Sequence, residues 1–416
     1  MTELKSFHKN SCYLCESKNI ESILYLTHVP SVNELLSIET CPDIETRYPL
    51  ELCRCVECGL VQSGFELDRD LIFPKTYPYL TGNSGALKKN FQELASQSFN
   101  LLNIDENDLI VDIGSNDGTL LTNYLSRGCQ VLGVEPTDIA DIAVINNIPT
   151  EKAFFKHSVA QKIRESRGNA KVIAATNVLA HAGDIISVME GIKELLTKDG
   201  ALICETHYLY DMIKTLHYDK IYHDHLRFFS VGSFQKLCQK VGLEVFYAEK
   251  IESHGGSIRI YAGQKGAHKI HLSVAERIGE ENEFGLNTSR VFFEFSERVT
   301  ESKLKLLNVF SEIKFSGKKI YGVGAPARGT TLINTVGIDH SMMNCVLELS
   351  SSKKLNSFVP GTRIPILDEK LLFGEDQPDY LLMLSWHIAD FVIPILKKNG
   401  YRGKFIVPLP EPRVVD

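Results

Sequence analysis

The feature that most constrains the fold is an alternation of short apolar runs with helical stretches between residues 109 and 205. Runs typical of buried strands lie at 109–113, 130–134, 171–177 and 200–205, and helical stretches at 119–127, 140–146 and 185–196 separate them. A helical pattern over 85–103 precedes the first run. Such alternation predicts a parallel sheet covered by helices on both faces.

The alternation continues in a second unit. Runs at 243–251 and 256–263 predict antiparallel closure of the first sheet, and the charged stretch 270–316 predicts a helical connection. Further strands at 319–323, 345–348, 380–384 and 404–407 then alternate with helices at 329–335 and 388–399. This pattern predicts a second Rossmann-like domain.

Charge and hydropathy limit the partners. The 416 residues carry a formal net charge of −7, which gives no basic field for nucleic acid or an anionic membrane. No apolar run reaches the roughly 18 residues that span a bilayer, and the first residues lack the apolar core of a signal peptide. We therefore expect a cytoplasmic protein whose thiols stay reduced. The sequence leaves the oligomeric state open.

Two CxxC pairs predict a zinc site near the N-terminus. Cys12 and Cys15 form the first pair, and Cys55 and Cys58 the second. Four thiolates can surround Zn²⁺ tetrahedrally and leave no position for a catalytic water, so the metal would be structural. Cys53 is an alternative ligand, and a cluster of free cysteines is the alternative to a metal site.

These patterns predict an α/β protein with three parts. Residues 1–70 form a small, loop-like zinc-binding domain, 71–268 a central Rossmann-like domain, and 269–416 the second Rossmann-like domain.

The segment LIVDIGSNDGTL at 109–120 predicts a cofactor loop. A buried strand ends in Asp112 and turns through Gly114, Asn116 and Gly118 into a helix, where glycine lets the backbone approach a ligand. Glu135 ends the next strand, where a carboxylate can accept hydrogen bonds from both ribose hydroxyls. The loop lacks the middle glycine of the dinucleotide pattern G-x-G-x-x-G. Asp112 would repel a pyrophosphate but could pair with a cationic amine, which favours S-adenosylmethionine over NAD.

The chain resembles the zinc-containing, S-adenosylmethionine-dependent sugar C-methyltransferases that act on nucleotide-linked 4-keto-deoxysugars. The motifs that carry this resemblance are CVECGLVQ, the tyrosines Tyr77 and Tyr79, GSNDG with VEP, NVLAH at 177–181, YHDH at 222–225, HGGS at 254–257, GAPARG at 324–329, PGT at 360–362 and FIVPLPEPRVV at the C-terminus. They follow the family's order over nearly the whole chain. The family commonly has Glu at Asp224, Asn at His387 and an aromatic–Ser pair at Leu80 and Thr81, so the exact sugar stays open.

The resemblance implies methylation of a carbon, C-3, through an enolate, for which a base and an oxyanion donor are needed. We assign His225 as the base, because histidine titrates near neutral pH. Tyr222 is the oxyanion donor or proton relay, and Asp224 orients an imidazole. His181 and Asn177 follow a strand at the carboxyl edge, where they can contact the substrate or the donor. Packing or capping roles are the alternative for each, and His223 is assigned a structural role.

Further residues are assigned to ligand binding. Tyr77 would fold over the donor and Tyr79 would contact the substrate. His254 and Gly255 precede a strand that carries Arg259, which could reach a diphosphate. Arg328 opens a helix after GAPA, a corner that suits an anion. The resemblance implies that this C-terminal domain helps to hold the sugar nucleotide.

Two other functions remain open at this stage. One is an O- or N-methyltransferase that acts on a sugar or another small molecule and needs no ketone. The other is a non-catalytic zinc-containing binding protein that retains the methyltransferase fold. The intact Asp112, Gly114, Gly118 and Glu135 argue against loss of the donor site.

Overall fold

The computed structural model describes residues 6–40, 45–72 and 80–416. The strands are β1 Ser6–His8, β2 Ile20–Val29, β3 Tyr48–Cys55, β4 Val61–Ser63, β5 Phe65–Leu67, β6 Leu109–Ile113, β7 Gln130–Val134, β8 Thr150–Glu151, β9 Ala170–Thr176, β10 Leu196–His207, β11 Arg227–Phe228, β12 Leu243–Ile251, β13 Ser257–Gln264, β14 Ile320–Val323, β15 Val346–Glu348, β16 Ser357–Val359, β17 Ile364–Asp368, β18 Tyr380–Met383, β19 Lys404–Val407 and β20 Arg413–Val415.

The α-helices are α1 Arg69–Ile72, α2 Gly85–Leu101, α3 Thr122–Leu125, α4 Ala140–Ile145, α5 His157–Arg167, α6 Ile185–Leu195, α7 Leu209–Lys214, α8 Val231–Val241, α9 Leu272–Phe284, α10 Arg290–Phe315, α11 Ala327–Val336 and α12 Ala389–Lys398. Short 3₁₀ turns lie at Thr81–Asn83, Tyr218–Lys220, Ser253–Gly255, Glu369–Phe373 and Trp386–Ile388.

The central sheet has the order β12-β13-β10-β9-β6-β7-β8. Strands β8, β7, β6, β9 and β10 run parallel, and β13 and β12 close the sheet in antiparallel fashion as predicted. Every residue of β6 is buried, because helices cover both faces of the parallel part. The carboxyl ends of β6, β7, β9 and β10 therefore meet at one edge, where ligands of such sheets bind.

The C-terminal sheet has the order β16-β17-β15-β14-β18-β19-β20. Its five inner strands are parallel, and β16 and β20 pair antiparallel at the two edges. The predicted second Rossmann-like unit is confirmed. Strands β16, β17 and β20 were not predicted, because they are short and lie among turn residues.

The N-terminal region is a sheet, so the prediction of a loop-like segment is wrong. Strand β2 spans ten residues and pairs with β3, in a sheet of order β11-β4-β3-β2. The fourth strand, β11, comes from the segment just after His225: Arg227 pairs with Gln62, and Phe228 with Val61. The predicted helix over 119–127 is also too long, because a turn follows Gly118 and α3 begins only at Thr122.

Helix α9 packs on the central sheet although it falls within the predicted C-terminal domain. Its buried Glu281 accepts hydrogen bonds from Tyr208 Oη at 2.9 Å and from the backbone N–H groups of Val231 and Gly232 at 2.5 and 3.0 Å. A carboxylate at the first turn of α8 satisfies donors that the helix leaves free and complements its dipole. The domain limits 1–70, 71–268 and 269–416 stay a prediction.

Candidate active site and zinc centre

Four cysteine thiols converge at the end of the N-terminal sheet. The Sγ atoms of Cys12, Cys15, Cys55 and Cys58 all lie within 4.8 Å of one another, with Cys12–Cys58 at 3.4 Å and Cys15–Cys55 at 3.5 Å. Zinc–sulfur bonds of about 2.3 Å place tetrahedral sulfurs about 3.8 Å apart, so the cluster fits Zn²⁺. Cys53 lies outside the cluster, and burial together with Glu51 raises the pKa of its thiol to about 12.

The two CxxC segments also contact helix α8 and the strand that follows His225. Lys236 Nζ and Lys240 Nζ donate to the carbonyls of Cys58 and Leu14 at 2.8 and 2.7 Å. The Arg227 guanidinium lies 4.2 Å from the centre of the Tyr13 ring. Because β11 is a strand of the cysteine-bearing sheet, the two CxxC segments and the residues next to His225 form one packed unit.

The predicted cofactor loop lies at the carboxyl edge of the central sheet. Asp112 is 2 % exposed, and its Oδ1 has no hydrogen-bond partner among the described residues. Burial, and after it the charges of Glu135 and Glu205, raise the pKa of Asp112 well above its ordinary value. Gly114 has φ +68°, and a Cβ there would approach Val178 Cγ2 to 2.5 Å, so the turn needs glycine.

The predicted donor residues surround this loop. Glu135 Oε1 accepts from Thr137 at 2.9 and 2.7 Å, and its Oε2 accepts from Asn116 N–H at 3.1 Å. Asn116 Oδ1 in turn accepts from Thr81 N–H at 2.9 Å. Asn177 follows β9 with φ +57°, and its buried Oδ1 has no partner in the described part of the chain.

A cavity of about 1610 Å³ joins this loop to the rest of the predicted site. Its wall combines residues of the N-terminal region, the central sheet and the C-terminal sheet: Asn33, Asp112, Gly114, Asn116, Glu135, Asn177, His181, His207, Lys220, Tyr222, Asp224, His225, His254, Gly255, Arg259, Arg328 and His387 all line it. Its volume exceeds the range of about 300–1,000 Å³ typical of single-ligand pockets, so it has room for two ligands side by side.

His225 is buried in this wall. Its Nδ1 donates to the carbonyl of Lys220 at 2.7 Å. Because a carbonyl only accepts, Nδ1 carries the proton and Nε2 of the neutral ring is an acceptor. Burial, followed by the charge of His181, lowers the pKa of His225 well below its ordinary value. The ring is thus neutral at neutral pH with an unprotonated Nε2, and its lowered pKa makes it a weaker base than the ordinary imidazole that the sequence led us to expect.

The fold places the other residues predicted to be catalytic close to His225. The ring centres of Tyr222 and His181 lie 4.0 and 4.9 Å from that of His225. His181 Nδ1 donates to the carbonyl of Asp224 at 2.6 Å, and burial lowers the pKa of His181 to about 4. Asp224 Oδ2 accepts from Asn33 Nδ2 at 2.8 Å, and burial raises the pKa of Asp224 to about 7. The Asp224 side chain therefore contacts Asn33, and within the described part of the chain it makes no hydrogen bond to an imidazole.

The predicted substrate residues divide into two groups. His254 lies 5.6 Å from His207, ring centre to ring centre, and Gly255 lies between His217 and His387. By contrast, the three guanidinium nitrogens of Arg259 already donate to protein acceptors. These acceptors are Glu205, Glu249, Gln97 and Asn90. This buried network disfavours the prediction that Arg259 binds a diphosphate, because an anion would compete with two carboxylates.

Arg328 has one nitrogen left for a ligand. Its Nε and Nη2 donate to Asp219 at 2.7 and 2.9 Å, and Asp219 also accepts from Trp386 Nε1 at 2.7 Å. The Arg328 guanidinium lies 5.0 Å from the centre of the Trp386 ring. These contacts hold the arginine against the cavity. The predictions for Tyr77 and Tyr79 fall outside the described residues.

Sequence reasoning missed several residues of this wall. They are Lys220, His207 and His387. His207 ends β10 at the carboxyl edge, so its position in the strand was a usable signal. Lys220 and His387 lie in 3₁₀ turns far apart in the chain, and no local pattern brings them together.

Comparisons with known proteins agree along the whole chain. The family models named "Putative zinc binding domain", "Methyltransferase domain" and "C-methyltransferase C-terminal domain" match residues 12–73, 84–248 and 252–410. The C-methyltransferase NovU of Streptomyces niveus is 30% identical over 411 residues, which cover 98% of this chain and 97% of that protein. The chain belongs to the C-methyltransferase family.

Solved structures similar to part of this chain include two methyltransferases. One is a complex of the Haloferax volcanii Trm112 activator with a methyltransferase, at 13% identity and TM-score 0.35, covering 44% of this chain and 94% of that one. The other is the magnesium protoporphyrin IX methyltransferase of Synechocystis PCC 6803 with bound S-adenosylmethionine, at 11% identity and TM-score 0.33, covering 43% and 79%. Both likenesses are too weak to bear on function.

The C-methyltransferase uses S-adenosylmethionine and has a zinc-binding region, as predicted. The buried Oδ1 of Asp112, which has no partner among the described residues, suits a cationic donor, and the four-cysteine cluster suits Zn²⁺. Within the described ranges, the helices of this methyltransferase are too short or too polar to cross a bilayer.

Proposed function

We propose that this enzyme transfers a methyl group to carbon C-3 of a nucleotide-diphosphate-linked 4-keto-deoxysugar, through an enolate and in the cytoplasm. The observation that carries the proposal is the continuous cavity that holds both Asp112 of the donor loop and the Nε2 acceptor of His225. A base that shares a chamber with a methyl donor is what carbon methylation needs, because the carbon nucleophile must form where the methyl is delivered.

Each residue has a task in this proposal. When bound, S-adenosylmethionine supplies an electrophilic methyl group. Asp112 holds the cationic amine, while Glu135 accepts from the ribose hydroxyls, and Gly114, Asn116, Gly118 and Asn177 shape the loop. Nε2 of His225 removes the proton α to the ketone, and the C–H electrons form the enolate. Tyr222 donates to the enolate oxygen or relays the proton.

The rest of the cavity would hold the sugar nucleotide. His181, whose Nδ1 donates to the Asp224 carbonyl, lines the same cavity wall as His225. Arg328 has Nη1 available for a diphosphate oxygen. His254 and Gly255 line the same cavity as His225 and Arg328.

Donor binding should release a proton and weaken as the pH falls. Burial raises the pKa of Asp112 in the free protein, which favours the protonated carboxyl, whereas a bound amine cation needs the carboxylate. Affinity should thus increase with pH until Asp112 is ionised without ligand. Calorimetric titration with S-adenosylhomocysteine, in two buffers of different ionisation enthalpy, measures the released proton.

The variant Asp112→Asn should lose both the proton release on donor binding and the pH dependence of donor affinity. We expect donor affinity to fall by about tenfold or more, in line with the loss of one charge-assisted hydrogen bond. Asp108→Asn is the matched control, since Asp108 lies just before the other end of β6 and accepts from Asp105 N–H. Proton release that persists in Asp112→Asn would assign it to another group and refute this role for Asp112.

The proposed reaction is tested with a panel of thymidine- and guanosine-diphosphate 4-keto-deoxysugars and the methyl donor. We expect a mass gain of one methyl on one of these sugars, at C-3 by NMR. In deuterium oxide, with S-adenosylhomocysteine in place of the donor, the C-3 proton should exchange. Methylation of oxygen or nitrogen without exchange would replace the enolate route by an O- or N-methyltransferase, and bound donor without any methylated keto-sugar would refute the acceptor.

A further inference from the structure

Lys220 is a buried lysine on the wall of the cavity, at the end of the turn Tyr218–Lys220. It is 2 % exposed, and its Nζ donates to the carbonyls of Gly255 and Gly256 at 3.5 and 3.2 Å. Both partners are neutral. Among the described residues, no ion pair involves Lys220, although Arg328 and Arg259 are paired in the same cavity.

Among the described residues, the carboxylates of Asp219 and Asp211 act on Lys220 through their charge but form no ion pair with it. Both oxygens of Asp219 accept from Arg328, and one also accepts from Trp386. Asp211 acts on Lys220 only through its charge. A buried ammonium without a carboxylate is costly unless an anion from a ligand approaches it. An ammonium has three N–H donors, and the two glycine carbonyls use two, so one is left for the cavity.

Lys220 is also tied to the proposed base. Its own carbonyl accepts from His225 Nδ1 at 2.7 Å, so the same residue sets the imidazole and projects a cation into the same chamber. Its charge helps to lower the pKa of the rings around it, which are His207, His217, His225, His254 and His387. Four of these rings, those of His207, His225, His254 and His387, line the same cavity as Lys220. Burial, followed by the charge of Arg328, lowers the pKa of Lys220 itself to about 7.

We propose that the Lys220 ammonium is a second catalytic residue, which stabilises the oxygen of the enolate that His225 forms. This inference rests on the proposed function. As Nε2 of His225 takes the C-3 proton, the C–H pair becomes the C=C bond and the carbonyl π pair moves to oxygen, which Lys220 holds by an N–H donor. When the carbon–methyl bond forms, the carbonyl is restored, the methyl–sulfur pair stays on sulfur, and His225 returns its proton to water.

A contact to the enolate differs measurably from a contact to the diphosphate. The diphosphate is charged before and after the reaction, so a residue that binds it lowers KM. The enolate charge develops only along the reaction, so a residue that stabilises it raises kcat and the exchange rate. Tyr222, a neutral donor next to His225, can share this task but supplies no charge.

The test compares Lys220→Met with the wild type, with Lys171→Met as the matched control. Lys171 is another buried lysine, paired with Asp199 at 2.6 Å near the amino end of β9, opposite the site. Exchange of the C-3 proton in deuterium oxide is followed with S-adenosylhomocysteine bound, together with kcat and KM. We expect Lys220→Met to lower exchange and kcat by about 10²–10³, the loss typical of one oxyanion donor, with KM nearly unchanged. Lys220→Arg should recover part of the loss, and Lys171→Met should exchange like the wild type.

Other results separate this inference from the proposed function. If the wild type exchanges the C-3 proton and Lys220→Met exchanges it equally fast, the proposed role of Lys220 is overturned while the proposed function stands. A raised KM with unchanged kcat in Lys220→Met has the same consequence, because it would mean that Lys220 binds the diphosphate. Absence of exchange in the wild type overturns both. If Lys220→Met fails to bind S-adenosylhomocysteine, Lys220→Ala with added propylamine decides: restored exchange supports the ammonium, and none refutes it.

Discussion

His225→Asn is expected to abolish methyl transfer while donor binding is retained. Asparagine can still donate to the Lys220 carbonyl from its side chain, but it has no basic nitrogen to replace Nε2. Loss of a positioned general base typically costs about 10²–10⁴ in rate. Exchange of the C-3 proton should fall by the same factor as kcat, because both need the same proton transfer.

His223→Asn is the matched control for this prediction. His223 lies two residues away and is equally buried, but its Nε2 donates to the Pro49 carbonyl at 3.0 Å and it does not line the cavity. We expect a lower melting temperature at most, with kcat within a few-fold of the wild type. Equal losses in both variants would mean that the segment matters only for folding. Full exchange in His225→Asn would exclude His225 as the base.

Cys55→Ala is expected to release zinc, to unfold the N-terminal sheet and to abolish activity. Structural zinc contributes about 10–16 kcal/mol of binding free energy in zinc-finger peptides, which is more than the whole stability of many domains. The consequence for catalysis follows from β11, since this strand begins two residues after His225 and pairs with β4. Loss of order in the two CxxC segments should therefore also disorder β11 and the packing that positions the His225 imidazole. Zinc content by elemental analysis and kcat should therefore fall together.

Cys53→Ala is the control, because Cys53 is on the same strand but outside the four-sulfur cluster. It should keep zinc and activity, with the modest loss of stability expected for a small buried side chain. Calorimetric titration of Cys55→Ala with S-adenosylhomocysteine adds a second comparison. Donor binding that survives while turnover is lost would show that zinc acts on the His225 segment. Full turnover without zinc would contradict the coupling through β11.

Much of the fold was predictable from local patterns. Strands β6, β7 and β12 were predicted to the residue, because a short, largely apolar run between turn residues is recognisable in the sequence. The zinc ligands were also predictable, since two CxxC pairs define a ligand set through spacing alone. The donor loop followed from Asp112, Gly114 and Glu135 for the same reason: strand, turn and next strand are contiguous.

The residues that surround His225 in the cavity wall were predictable only in part. The segment YHDH at 222–225 indicated His225, but its tautomer depends on a hydrogen bond to Lys220 that only the folded turn creates. Arg259 shows the opposite case. Its sequence position suggested a free cation, yet Glu205 and Glu249 approach it from two other strands, and pairing across a sheet is not visible in local sequence.

The sequence by itself determined the α/β class and the four-cysteine cluster and predicted the donor loop, because each depends on short segments whose spacing and apolar character carry the information. Only the tertiary structure decided that β11 joins the zinc-bearing sheet, that Lys220 is buried without a carboxylate, and that Asp219 holds Arg328. These features depend on contacts between residues up to about 170 positions apart, such as Asp219 with Trp386. Such contacts arise when separate elements pack together, and no local pattern specifies them.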